Sequence, residues 1–171
     1  MIVLKFGGAS VATPASFKKI ALIIADRMRT EKCPVAIVVS AMADTTDQLL
    51  DLARQVHSSP PKREQDMLVS VGERISISLL AMALSSIGIE AVSFTGSQSG
   101  IITDEQHTEA RIVDVRPRRI LEALQQGKVA IIAGFQGVSR AGEITTLGRG
   151  GSDTSAVALA VALRAACVDF Y

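Results

Sequence analysis

The sequence predicts an α/β fold with a mostly parallel central sheet. Three observations carry that prediction. Apolar runs of strand length alternate along the chain with longer stretches of helical periodicity. The run at 35–39 is apolar throughout and mostly β-branched, as in strands buried on both faces. Glycine-rich segments, Gly7-Gly8 and Gly148-Arg149-Gly150-Gly151, stand where strands give way to helices.

Each element follows from local chemistry. Residues 2–6 form a first strand, ended by Gly7-Gly8. From Pro14 to about Lys32, Phe17, Ile20, Ala21, Ile24 and Met28 recur at helical spacing, and Pro14 suits a first turn. Pro34 breaks that pattern before the strand at 35–39. A helix is predicted over 46–57, a polar Pro-broken loop over 58–63, and one long helix over 64–87 stopped by Gly88. A short strand at 89–94 precedes the Gly- and Ser-rich segment 96–103 with its Ile101-Ile102 run. A helix over 116–126 stops at Gly127, and 129–135 is another buried strand. Residues 138–147 read as a hairpin turning at Ser139 to Gly142. A helix over 152–165 and a strand from 167 to 171 complete the series.

Composition narrows the function. The chain has 171 residues, 48% hydrophobic and 20% charged, which suits one ordered domain. Lys+Arg (18) nearly balances Asp+Glu (17), so no basic excess marks a nucleic-acid surface. Aromatics at 4% argue against a base-stacking platform. Cys33 and Cys167 fit no metal spacing and no disulfide framework, and are expected to be buried free thiols. No apolar run approaches the ~18 residues of a membrane helix, and the N-terminus lacks signal-peptide features, so a cytoplasmic protein is expected. His57 and His107 have no partner pattern and are expected at the surface.

Four constellations carry chemistry. In the first, a strand delivers Lys5 and two glycines turn the chain toward a helix, which brings backbone N–H groups, a helix N-terminus and a full charge to a phosphate. A plain strand-to-helix turn has the same pattern. In the second, glycines with Arg149, Ser152 and Asp153 open a helix; Arg149 suits a carboxylate, and N-capping by Ser152 or Asp153, open to any helix, leaves Arg149 and its three nearby glycines unexplained. In the third, Ser40 to Asp47 follows a strand end, where parallel sheets bind ligands; its hydroxyls suit substrate or a cap. In the fourth, Gly72-Glu73-Arg74 lies inside a helix, where a glycine costs about 1 kcal/mol unless close packing or a ligand explains it. Glu73 is either a ligand for an ammonium group or half of a solvated Glu–Arg pair.

Taken in order, LKFGGAS, VVSAMADTTDQLL, SVGERISISLLAMAL, SFTGSQSG, ARIVDV, AGFQGV and TTLGRGGSDTSAVALAVAL resemble the aspartate kinases of the amino acid kinase family over essentially the whole chain. The resemblance implies an αβα sandwich and transfer of the γ-phosphoryl group of Mg²⁺-bound ATP to the β-carboxylate of L-aspartate. That reaction opens the route to lysine, threonine, methionine and diaminopimelate. It implies that Lys5 and Asp153 are catalytic, Lys5 at the transferring phosphoryl group and Asp153 orienting the lysine. Gly7, Gly8 and Ser10 then belong to the phosphate loop. Arg149 binds the α-carboxylate and Glu73 the ammonium group, while Ser40, Thr46, Phe135 and Ser152 line the substrate pocket. No residue is expected to hold a metal directly.

There are two departures. Ala9 replaces a threonine common in the family. In the family the final strand runs on into a nucleotide lobe, with regulatory ACT domains usually following. The chain therefore reads as the N-terminal, aspartate-binding part of a kinase domain, with weak ATP binding, little activity alone, and self-association through an incomplete sheet edge. The alternatives are a relative with another amino acid carboxylate as acceptor, or a non-catalytic binding or assembly module.

Overall fold

The computed structural model describes residues 1–171. Its elements in chain order are β1 (Ile2–Phe6), α1 (Pro14–Glu31), β2 (Val35–Val39), α2 (Thr45–Val56), α3 (Lys62–Val69), α4 (Val71–Ser85), β3 (Ala91–Phe94) and α5 (Gly96–Ser99). There follow β4 (Ile101–Thr103), β5 (Ile112–Val115), α6 (Arg118–Gln125), β6 (Val129–Ala133), β7 (Gln136–Ser139), β8 (Ile144–Thr146), α7 (Gly151–Leu163) and β9 (Val168–Phe170).

The main sheet has the order β3-β6-β2-β1-β9 and every pair is parallel. Because successive side chains point to opposite faces, each strand feeds two cores. Val35, Ile37 and Val39 face Phe17, Ile20 and Ile24 of α1 and Ile77, Leu80 and Leu84 of α4. Ala36 and Val38 face Ile120 and Leu124 of α6 and Ala156 and Leu159 of α7. All five residues of β2 are buried, which is why its sequence is apolar throughout. The result is an αβα sandwich.

A second, four-stranded sheet has the order β5-β4-β7-β8 and mixes directions. β7 and β8 form the predicted hairpin, and β4 runs parallel to β7. Gly100 links α5 to β4 at φ +80, and a Cβ there would lie 2.0 Å from the Arg116 carbonyl oxygen. Gly100→Ala is therefore expected to lower stability by about 3 kcal/mol in a urea titration.

The structure differs from the sequence expectation at several points. The long helix at 64–87 is two helices, broken at Ser70, whose carbonyl accepts a hydrogen bond from Gln136 Nε2 at 2.9 Å. By length and composition Lys62–Ser85 passes for a membrane span, contrary to expectation. Half of it is buried, and it holds the fully buried Asp66 and the buried Glu73. The segment 96–103 contains one helical turn and β4, and β5 has no counterpart in the sequence reading. The strand at 129–135 stops at Ala133 because Phe135 turns the chain at φ +65. The thiols are less buried than expected: Cys33 is half-buried in the α1–β2 connection, and Cys167 is exposed at the start of the edge strand β9.

Candidate active site

The site lies beyond the carboxyl ends of β1, β2 and β6, where side chains leave the sheet and helices begin. A cavity of about 260 Å³ opens there, lined by Lys5, Gly8, Ser40, Thr46, Glu73, Phe135, Ser152 and Asp153 among twelve residues. These eight come from five separate stretches of sequence, and parallel topology alone gathers them.

Lys5 is the penultimate residue of β1, with its side chain only 12% exposed. Its Nζ lies 2.5 Å from Asp153 Oδ1. Asp153 sits in the first turn of α7, where no side chain caps the helix. The N-cap position is Gly150, so the capping alternative for Ser152 and Asp153 is not what the fold uses. The Gly151 and Asp153 N–H groups donate to the Gly148 and Gly150 carbonyls, which leaves the Ser152 N–H open at the start of a thirteen-residue helix, beside a cavity that also holds a lysine, a favourable place for a phosphoryl group.

The first glycine segment behaves differently from its sequence reading. The helix does not begin at Gly8; it begins at Pro14, capped by Thr13, whose Oγ1 accepts the Ser16 N–H. The Gly7 carbonyl accepts the N–H groups of Ser10 and Val11, closing a tight turn, and the Gly7 N–H donates to the Tyr171 carbonyl. Gly7 and Ser10 do not line the cavity; Gly8 does. The helix dipole beside Lys5 is therefore that of α7.

Ser40 follows β2, and Thr46 lies in the first turn of α2. α2 also lacks a side-chain cap, so the hydroxyls of Ser40 and Thr46 are not spent on capping and belong to the cavity wall.

Glu73 is not half of a solvated pair. It is 3% exposed, and its Oε1 accepts the Ala41 N–H at 3.0 Å. Its Oε2 is buried and has no partner. Burial pushes its carboxyl up to about 7, against the opposing pull of the backbone hydrogen bonds. Gly72 explains itself by close packing, since a Cβ there would lie 2.8 Å from Ala41 Cβ. That approach lets the Ala41 N–H reach Glu73.

Two cavity residues hold left-handed backbone conformations without being glycine, Ala43 at φ 34 and Phe135 at φ 65. Each costs about 1 kcal/mol, and the Phe135 geometry is held by its N–H to Ser155 Oγ and its carbonyl to the Leu147 N–H. Ala41, Ala43, Gly150 and Gly151 also line the cavity; they lie within the segments singled out in the sequence but were not themselves assigned to the site. Of these, only the glycines carried a signal for it.

Arg149 is exposed on the loop beside Gly150 and makes no hydrogen bond or ion pair. The structure places it next to the cavity lining and not within it. Nor is His107 a free surface residue: its Nδ1 lies 2.6 Å from Asp66 Oδ2, and its side chain is 20% exposed. His57 is exposed as expected. No group of three His, Cys, Asp or Glu residues suited to a metal occurs. Asp153 has one oxygen on Lys5 and a half-exposed side chain at the cavity.

The profile of the amino acid kinase family matches residues 1–171. The chain is 52% identical over 172 residues to the aspartokinase of Mycolicibacterium smegmatis, covering 100% of this chain and 41% of that one. It superposes on the aspartate kinase of Synechocystis with a TM-score of 0.84 at 48% identity, over 100% of this chain and 28% of that one. Against E. coli aspartokinase III in complex with aspartate and ADP the TM-score is 0.88 at 25% identity, over 100% of this chain and 48% of that one. The chain spans about two fifths of the length of the curated relatives it matches.

Proposed function

The chain belongs to the amino acid kinase family, and on that premise we propose that residues 1–171 form the amino-acid-binding part of an aspartate kinase catalytic domain. The observation that carries this is the pairing of two opposite features in one cavity. One is Glu73, a buried carboxylate with an unpartnered oxygen. The other is the Lys5–Asp153 pair at the N-terminus of α7.

The division of labour follows from charge. Glu73 takes the ammonium group of L-aspartate, gaining the partner its Oε2 lacks. Arg149, free on its loop, takes the α-carboxylate as a bidentate pair. Ser40, Thr46, Phe135 and Ser152 shape the space between them. The β-carboxylate is then directed toward Lys5. One of its oxygens forms a bond to the γ-phosphorus of ATP as the bond to the ADP oxygen breaks. Lys5 and the positive start of α7, with its open Ser152 N–H, stabilise the charge spread over the transferring oxygens. Asp153 holds Lys5 in place across the cavity mouth. Mg²⁺ carried on the phosphates would neutralise further charge, and Asp153, half-exposed at the cavity, is the residue that would hold it. A cytoplasmic location suits such a biosynthetic role.

Calorimetric titration with L-aspartate tests the reading. Saturable binding is expected, N-acetylglutamate with its blocked amine is expected not to bind, and Arg149→Ala is expected to weaken aspartate by about thirtyfold. A folded chain that ignores aspartate, or binds it equally well without Arg149, defeats the assignment.

A further inference from the structure

Asp66 is fully buried in α3, outside the cavity, and none of the chemistry above uses it. It is nonetheless among the most heavily hydrogen-bonded side chains in the molecule. Its Oδ1 accepts the Thr146 hydroxyl at 2.5 Å. Both of its oxygens lie within reach of the Thr108 N–H, at 3.0 and 3.1 Å, and His107 Nδ1 lies 2.6 Å from Oδ2. Thr108 is a β-branched residue at φ 70, a conformation such residues avoid. A fixed acceptor that captures its N–H accounts for its persistence there.

The connections of this cluster matter more than its count. Thr146 ends β8, its carbonyl accepts the Ala110 N–H, and the next residue, Leu147, donates its N–H to the Phe135 carbonyl. The chain then enters the loop of Gly148, Arg149 and Gly150. On the other side, α3 runs one turn from Asp66 to the break at Ser70, where Gln136 of β7 grips the carbonyl, and α4 begins with Glu73 in its first turn. Asp66 therefore ties together the two segments that carry Glu73 and Arg149.

We propose that Asp66 is a positioning residue: through Thr146 and Thr108 it fixes the glycine–arginine loop at 148–151 relative to the helix that carries Glu73. Its consequence for ligand binding rests on the aspartate reading above; its consequence for the loop does not. Since Asp66→Ala leaves buried donors unpaired and endangers folding, the test uses its partner. Thr146→Val keeps the shape and removes only the hydroxyl, and Thr146→Ser restores the hydroxyl with less packing. Ile24→Val, in the core between α1 and the sheet, controls for lost stability.

Two readouts are taken on the full chain: amide hydrogen exchange across 147–151, and aspartate affinity by calorimetry. In Thr146→Val the two hydrogen-bonded amides of this stretch, Leu147 and Gly151, are expected to exchange about tenfold faster than in Ile24→Val, and aspartate to bind about tenfold more weakly; Thr146→Ser should stay within about twofold of the parent in both. A merely structural role predicts the reverse order, with Ser worse than Val because of its lost packing. Loop exchange in Thr146→Val no faster than in the control overturns the proposal, as does a loosened loop with unchanged aspartate affinity. If the parent chain itself fails to bind aspartate, the substrate reading falls, and the exchange comparison alone decides the role of Asp66.

Discussion

Lys5→Met is expected to lower formation of β-aspartyl phosphate by about a thousandfold, the scale of removing a preorganised group from a developing oxyanion. The effect is best read in a chimera that carries residues 1–171 on the remainder of an aspartokinase relative, with the product trapped as its hydroxamate. Lys5 projects from β1 into the cavity, where it is the one basic lining residue, and Arg149 beside the cavity is assigned to the α-carboxylate. The aspartate dissociation constant should change little, because the ammonium and α-carboxylate are held elsewhere. Asp153→Asn should cost less than Lys5→Met, since Asp153 acts by holding the lysine 2.5 Å away. A Lys5→Met chimera with more than about a tenth of parental turnover would sink the assigned role.

Glu73→Gln is expected to weaken aspartate by about a hundredfold and to abolish proton release on binding. The carboxyl sits near 7 in the free protein because burial penalises its charge. An ammonium group beside Oε2 stabilises the charged form and expels the proton. At about pH 7 the parent should therefore release roughly half a proton per aspartate, and nearly a whole one at about pH 6. Titration in two buffers of different ionisation enthalpy measures this. Identical apparent enthalpies in the two buffers would remove Glu73 from ammonium recognition.

The same group makes stability depend on pH. Its folded value, about 7, lies above the ordinary 4.5, so the folded chain holds the extra proton between them. The contribution is fully present below about pH 4.5 and is lost as pH rises toward 7, by about 3 kcal/mol in all. Glu73→Gln should flatten that slope.

The strands at 2–6 and 35–39 were legible to the residue, because a strand buried on both faces needs an apolar run, unbroken at 35–39 and interrupted at 2–6 only by Lys5 at its site end. The break at Ser70 was not, because the group that creates it, Gln136, is 66 residues away. β5 was invisible for a related reason: Ile112–Val115 is four residues long, with an exposed valine and an aspartate. His107 looked like a surface histidine because Asp66, 41 residues earlier, gave no sign of being buried. In the site, Lys5 and Asp153 were marked as candidates by the glycine turns beside them, whereas Glu73, inside a helix, was separated from a solvated pair only by the family resemblance. The unpaired state of Glu73 was not legible, since it depends on how closely Gly72 approaches Ala41. Neither was the idle turn at Gly7, whose N–H is taken by the Tyr171 carbonyl.

The two sheets have unequal freedom to change. Lys5 and the start of α7 are anchored in the parallel sheet, whose strands are packed on both faces and tolerate little alteration. The groups assigned to the acceptor, Glu73 and the loop at 148–151, have additional ties to the smaller mixed sheet, through Gln136 at Ser70 and Thr146 at Asp66. On the proposed assignment, mutational drift in the hairpin or in α3 is expected to alter acceptor binding more than the Lys5–Asp153 pair. A lineage with this architecture can acquire new acceptors by editing its periphery, with no need to rebuild its chassis.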